Sequence, residues 1–143
     1  LLVRQAKSLG LNARWLGPDG LYVPAFIDLA KEAAEGVCCT FVGVDVSKVE
    51  TAKEFLRAYT RAYGTIGPFA PNAYDAACIV IEAIRRAGKP DRTAVLAEVK
   101  KTKDFPGVLG AISFDERGDT TLRLISVFEV RNGAFQYLGP ASR

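Results

Sequence analysis

The run Val37-Cys38-Cys39-Thr40-Phe41-Val42-Gly43-Val44 is apolar or β-branched almost without a break. At strand length, that is the pattern of a β-strand covered on both faces. Its neighbours narrow the fold further. Residues 1–9 carry Leu2, Ala6 and Leu9 on one helical face and stop at Gly10. Residues 13–16, Ala-Arg-Trp-Leu, read as a short strand. Pro24 suits a first helical turn, and Phe26, Ile27, Ala30, Ala33 and Ala34 recur at helical spacing up to Gly36. Helix, strand, helix, strand predicts an α/β domain with a parallel sheet.

Between the first strand and the second helix lies Leu16-Gly17-Pro18-Asp19-Gly20. An acid on a turn at the carboxyl end of a buried strand is where open α/β sheets place ligand contacts. The same five residues also read as an ordinary turn, with Pro18 second and Asp19 and Gly20 suited to the backbone.

The remainder alternates again before changing character. Ser47 and Glu50 form a capping box for a helix with Ala52, Phe55, Leu56, Tyr59, Ala62 and Tyr63 on one face, ending at Gly64. Residues 65–71 hold Gly67, Pro68 and Pro71 and read as a loop. The stretch 72–87 is apolar nearly all round, so the expectation is a largely buried helix. Gly88 and Pro90 end it, and Asp91 caps the next helix, which runs to about residue 101. Residues 122–130 are β-rich, Arg131-Asn132-Gly133 signals a hairpin, and 134–138 pair back.

Several chemistries are excluded or disfavoured by what is present. There is no histidine, so neither a Cys/His zinc site nor a Ser-His-Asp triad can be drawn. Cys38 and Cys39 are neighbours on a strand and point to opposite faces, and Cys78 falls on a helix; all three read as small core residues. Asp115-Glu116-Arg117-Gly118-Asp119 lacks the EF-hand spacing and reads as a solvated turn, so no metal and no cofactor are expected. Lys100, Lys101 and Lys103 suit the negative end of a helix dipole. The net charge of +3 is spread among both signs, which argues against a nucleic-acid partner. No run approaches the roughly 18 apolar residues of a membrane span. The chain has no methionine, and Leu1-Leu2-Val3 enters a helical pattern uncapped, as a piece of a longer protein would.

With these residues in view, the sequence resembles the periplasmic leucine/isoleucine/valine-binding proteins, type I solute-binding proteins of amino-acid ABC transporters. The likeness rests on Gly17-Pro18-Asp19-Gly20, on Ala33-Ala34-Glu35-Gly36-Val37, and on Ala73-Tyr74-Asp75-Ala76. It continues through Phe105-Pro106-Gly107-Val108-Leu109-Gly110 and Ile112-Ser113-Phe114-Asp115-Glu116-Arg117-Gly118-Asp119. Order and spacing over nearly the whole chain carry it more than any one piece.

The resemblance implies a three-layer, flavodoxin-like α/β fold with a β-rich carboxyl-terminal hairpin, incomplete relative to the family. Residues from about 1 to 44 and 122 to 143 would belong to the second lobe, and about 45 to 121 to the first. It implies a binding protein and no enzyme, with an amino acid held between two lobes and delivered to a membrane permease. The place would be periplasmic or extracellular. Asp19 would accept the ligand's α-ammonium group, at a position where Glu is common. Leu21 and Tyr22 would flank the ligand, or Tyr22 would be a half-buried loop aromatic. Phe69 would reach the ligand's tail, or serve as core. Two rival readings are an extracellular sensor domain and a flavodoxin-like enzyme using Asp19 as base. The absence of any nucleophile–base pair and of a glycine-rich phosphate loop stands against the enzyme. Few strands remain for the apolar helix at 72–87 to lie on. The chain is therefore expected either to rearrange into a single domain, as a monomer or a homo-oligomer, or to leave a large apolar patch exposed.

Overall fold

The computed structural model describes residues 1–141. The chain divides into two compact units, Leu1–Asp45 with Leu124–Arg143, and Val46–Arg123.

The first unit is built on a four-stranded sheet in the order β1-β2-β5-β6. Its strands are β1 (Leu16–Gly17), β2 (Cys38–Val42), β5 (Ile125–Arg131) and β6 (Ala134–Pro140). Only β1 and β2 run parallel, with Leu16 opposite Cys38; β5 and β6 join antiparallel. The α/β class stands, and the sheet is mixed. The β5–β6 turn is the one read from the sequence: Asn132 and Gly133 take φ of 53° and 71°, as a tight hairpin between right-twisted strands requires.

One face of this sheet carries the unit's core. Cys39, Phe41, Phe128 and Val130 are buried there, and Phe135 and Tyr137 of β6 pack beside them. Helix α2 (Pro24–Ala30) and the 3-10 turn Lys31–Ala34 lie on that face through Phe26, Ile27, Ala30 and Ala34. The opposite face is open, with Val42, Ile125 and Leu138 exposed and Cys38 and Thr40 half-buried. The expectation of a strand covered on both faces is thus corrected for β2. The first strand is likewise shorter than residues 13–16 suggested: Leu16 and Gly17 pair in register with β2, and before them the Trp15 carbonyl accepts the Cys38 N–H at 2.9 Å. Helix α1 (Leu2–Ser8) precedes it and buries Ala6.

The second unit holds α3 (Lys53–Tyr63), α4 (Ala70–Ala87), α5 (Arg92–Lys100) and a two-stranded hairpin of β3 (Phe105–Gly107) and β4 (Gly110–Ile112). The capping box does not form. Short 3-10 turns at Val46–Lys48 and Glu50–Ala52 come first, and α3 starts at Lys53 behind Ala52, which makes no side-chain cap. Helix α4 starts at Ala70, two residues earlier than expected, with Pro71 in its first turn, where a missing N–H costs nothing. Gly88 stops it in the left-handed conformation (φ 64°), and Asp91 caps α5 by accepting from the Ala94 N–H at 2.8 Å.

Helix α4 is buried on one side only, through Pro71, Asp75, Ile79 and Ala83 at four-residue spacing. On the other side Tyr74, Val80, Ile81 (57% exposed) and Ile84 stand in solvent. In the single chain these four leave a largely apolar stripe uncovered. Asp115 forms a turn of its own, as read, with one carboxylate oxygen accepting from the Arg117 and Asp119 N–H groups at 2.9 Å each.

Thr102, just after α5, has a buried hydroxyl with no hydrogen-bond partner among the described residues. Burying such a group costs on the order of 1–3 kcal/mol. Thr102→Val keeps the shape and removes the hydroxyl, so the expected gain in unfolding free energy is about 1 kcal/mol. A higher urea midpoint with an unchanged slope would show it; a lower midpoint would mean that the hydroxyl has a partner after all.

Candidate functional site

The parallel pair ends at a polar crossing. After Gly17, Pro18 extends the chain (φ −75°, ψ 178°), and Asp19–Leu21 close one 3-10 turn. The Leu21 N–H donates to the Pro18 carbonyl at 3.1 Å and the Tyr22 N–H to the Asp19 carbonyl at 2.9 Å. Asp19 opens the turn, where the unpaired N–H groups favour a negative charge. Its side chain is half-buried and makes no hydrogen bond or ion pair among the described residues. It is a carboxylate held in place by its backbone, with its oxygens unspent.

Leu21 and Tyr22 are half-buried and pack into the core beneath the turn. Leu21 folds back over Gly17: a Cβ built on Gly17 would lie 2.2 Å from the Leu21 Cδ1. Both residues pack on the cluster of Cys39, Phe41 and Phe128. The Tyr22 ring lies 4.2 Å from Phe128, 4.7 Å from Phe41 and 4.9 Å from Phe135, centroid to centroid, all tilted. Of its two readings, the half-buried aromatic describes the packing. Both side chains bolt the Asp19 turn to the sheet.

The electrostatics follow from this packing. Burial, then the charge of Asp45, then Cys39 push the Tyr22 phenol above its ordinary pKa. Burial, with Cys38 next, pushes the Cys39 thiol up to about 11. It stays protonated at neutral pH and behaves as a small apolar core residue, as read. Asp45 was not singled out from the sequence, yet it follows β2 as Asp19 follows β1. The signal was available: an acid within three residues of each strand's carboxyl end. The exit of β2 is fixed by the buried Ser126 hydroxyl, which donates to the Gly43 carbonyl at 2.6 Å.

Phe69 belongs to the second unit, where it precedes α4 and is 40% exposed. That unit has a broad groove of about 1010 Å³, walled by Phe55, Tyr59, Tyr63, Tyr74 and Phe105. At its edge lies a charge the sequence reading passed over. Asp75, only 4% exposed, accepts the Val108 N–H on both carboxylate oxygens, at 2.8 and 3.0 Å. The Val108 carbonyl in turn accepts from the Thr51 hydroxyl at 2.8 Å. The backbone of Val108 thereby ties the turn before α3, helix α4 and the β3–β4 hairpin. Gly107 has no room for a side chain, since its Cβ would meet Asp75 Oδ2 at 2.7 Å and the Gly110 carbonyl at 2.9 Å. A second hollow, of about 630 Å³, lies in the first unit between Lys7, Lys31, Glu32 and Glu35. Neither hollow is lined by Asp19. Among the described residues no group of three or more Cys, Asp or Glu could hold a metal ion.

Comparison with known proteins is consistent along the chain. A family model described as periplasmic binding protein matches residues 1–134. The leucine-, isoleucine-, valine-, threonine-, and alanine-binding protein of Pseudomonas aeruginosa is 32% identical over 130 residues, covering 90% of this chain and 34% of that protein. Among solved structures, the leucine binding protein LivK from Thermotoga maritima matches with a TM-score of 0.85 at 33% identity, over 98% of this chain and 40% of that one. The branched-chain amino acid transporter substrate binding protein LivJ from Streptococcus pneumoniae, in complex with isoleucine, matches with a TM-score of 0.77 at 30% identity, over 97% and 41%. The chain spans about a third of the length of the curated relatives it matches.

Proposed function

The chain belongs to the periplasmic binding protein family, a family of solute-binding proteins, and on that premise we propose that it is the carboxyl-terminal part of a substrate-binding component of an ABC transporter. The full-length protein captures a branched-chain or other small amino acid, in the periplasm or outside the cell, and hands it to a membrane permease. The observation that carries this reading is the Asp19 carboxylate, half-buried and unpartnered among the described residues, at the carboxyl end of the parallel pair. An α-ammonium group would satisfy it through a charge-assisted hydrogen bond, about twice as strong as a neutral one. Closure of the protein over the ligand excludes water and strengthens that bond further. No bond is made or broken.

Calorimetry on the full-length protein tests the reading. Leucine, isoleucine, valine, threonine and alanine are titrated beside 4-methylpentanoate, which is leucine without its amine. Binding of at least one amino acid and none of the deaminated analogue is expected. Equal affinity for leucine and 4-methylpentanoate would overturn the role of the carboxylate, and no binding of any amino acid would overturn the ligand class.

We further assign the unit of Leu1–Asp45 and Leu124–Arg143 to the family's second lobe, and Val46–Arg123 to its first. Supporting this is the bare side of α4, where Tyr74, Val80, Ile81 and Ile84 would pack on the remainder of that lobe. Phe69, at the start of the same helix, is assigned to the ligand's apolar end. The chain by itself is then expected to bind ANS more strongly than a compact monomer of its size. Fluorescence read beside sedimentation decides it. Weak ANS binding by a sedimenting monomer would contradict the exposed patch, and weak binding by a dimer would mean that a second copy covers it.

A further inference from the structure

We draw no further inference here: the strongest candidate, the aromatic groove between α3 and α4 that continues onto the bare apolar side of α4, restates the packing surface already assigned to the remainder of the lobe, and nothing in the structure shows another occupant.

Discussion

Asp19→Ala in the full-length protein weakens binding of a free amino acid by about 2–5 kcal/mol, roughly 30- to several-thousand-fold in Kd. The size comes from asymmetry. With Asp19 in place, the ammonium group leaves water for a full counter-charge; with Ala there, it is desolvated and left unpaired. Folding should hardly change. The carboxylate makes no hydrogen bond or ion pair among the described residues, so nothing in the first unit is stranded by its removal. A melting temperature within a degree or two of the parent, together with the affinity loss, separates a binding role from a structural one. Asp19→Asn keeps the shape and removes the charge, and should lose most of the same affinity. Unchanged calorimetric affinity in Asp19→Ala takes the residue out of the site.

The second large effect lies in the other unit and concerns folding. Asp75→Ala strands the Val108 N–H group in a dry place, at a cost of about 1–3 kcal/mol for the buried donor left unmade. Asp75→Asn keeps one acceptor and should cost less. Charge sets the pH dependence. Burial raises the Asp75 pKa above its ordinary value of 3.8, and the Val108 and Leu109 N–H groups pull against that rise without cancelling it. The folded chain therefore binds a proton more tightly here than the unfolded chain does. Between the ordinary and the raised value this group's contribution to stability falls as pH rises, and it is level above. Urea midpoints measured across mildly acidic pH should show that component in the parent and lose it in Asp75→Asn. If Asp75→Ala unfolds at the same urea concentration as the parent, the carboxylate is not the tie it looks to be.

How much of this was legible in the sequence depended on how local the cause is. The β5–β6 hairpin was readable because Asn132 and Gly133 dictate their own backbone. Gly64, Gly88 and the Asp91 cap likewise act within a few residues of themselves. The Asp19 turn was found for the same reason: proline and glycine bracket the acid. The failures were tertiary. The period of β2 could not show that one sheet face is open, since a strand's sequence does not say what lies over it. The apolar content of α4 promised burial on all sides, but only one side has neighbours to meet. The capping box lost to two 3-10 turns, one of which hands Thr51 to the Val108 carbonyl, a partner 57 residues away. Asp75 showed a signal that went unused, a lone acid on the buried stripe of an apolar helix. Leu21 and Tyr22 were read by their nearness to Asp19, and their packing on the core beneath it is a tertiary contact that nearness in sequence does not show.

That wedge of Leu21 against Gly17 sets the terms on which such a protein can change its tastes. Position 19 is tolerant, because its side chain holds nothing else up; exchanging acid for amide or lengthening it by one carbon alters only what is recognised. Positions 17 and 21 are coupled instead, since a side chain at 17 would lie 2.2 Å from the Leu21 Cδ1 and requires that leucine to turn aside. With Asp19 as the ammonium partner, as proposed, selectivity for the amine can change at that single position without rebuilding the turn that carries it.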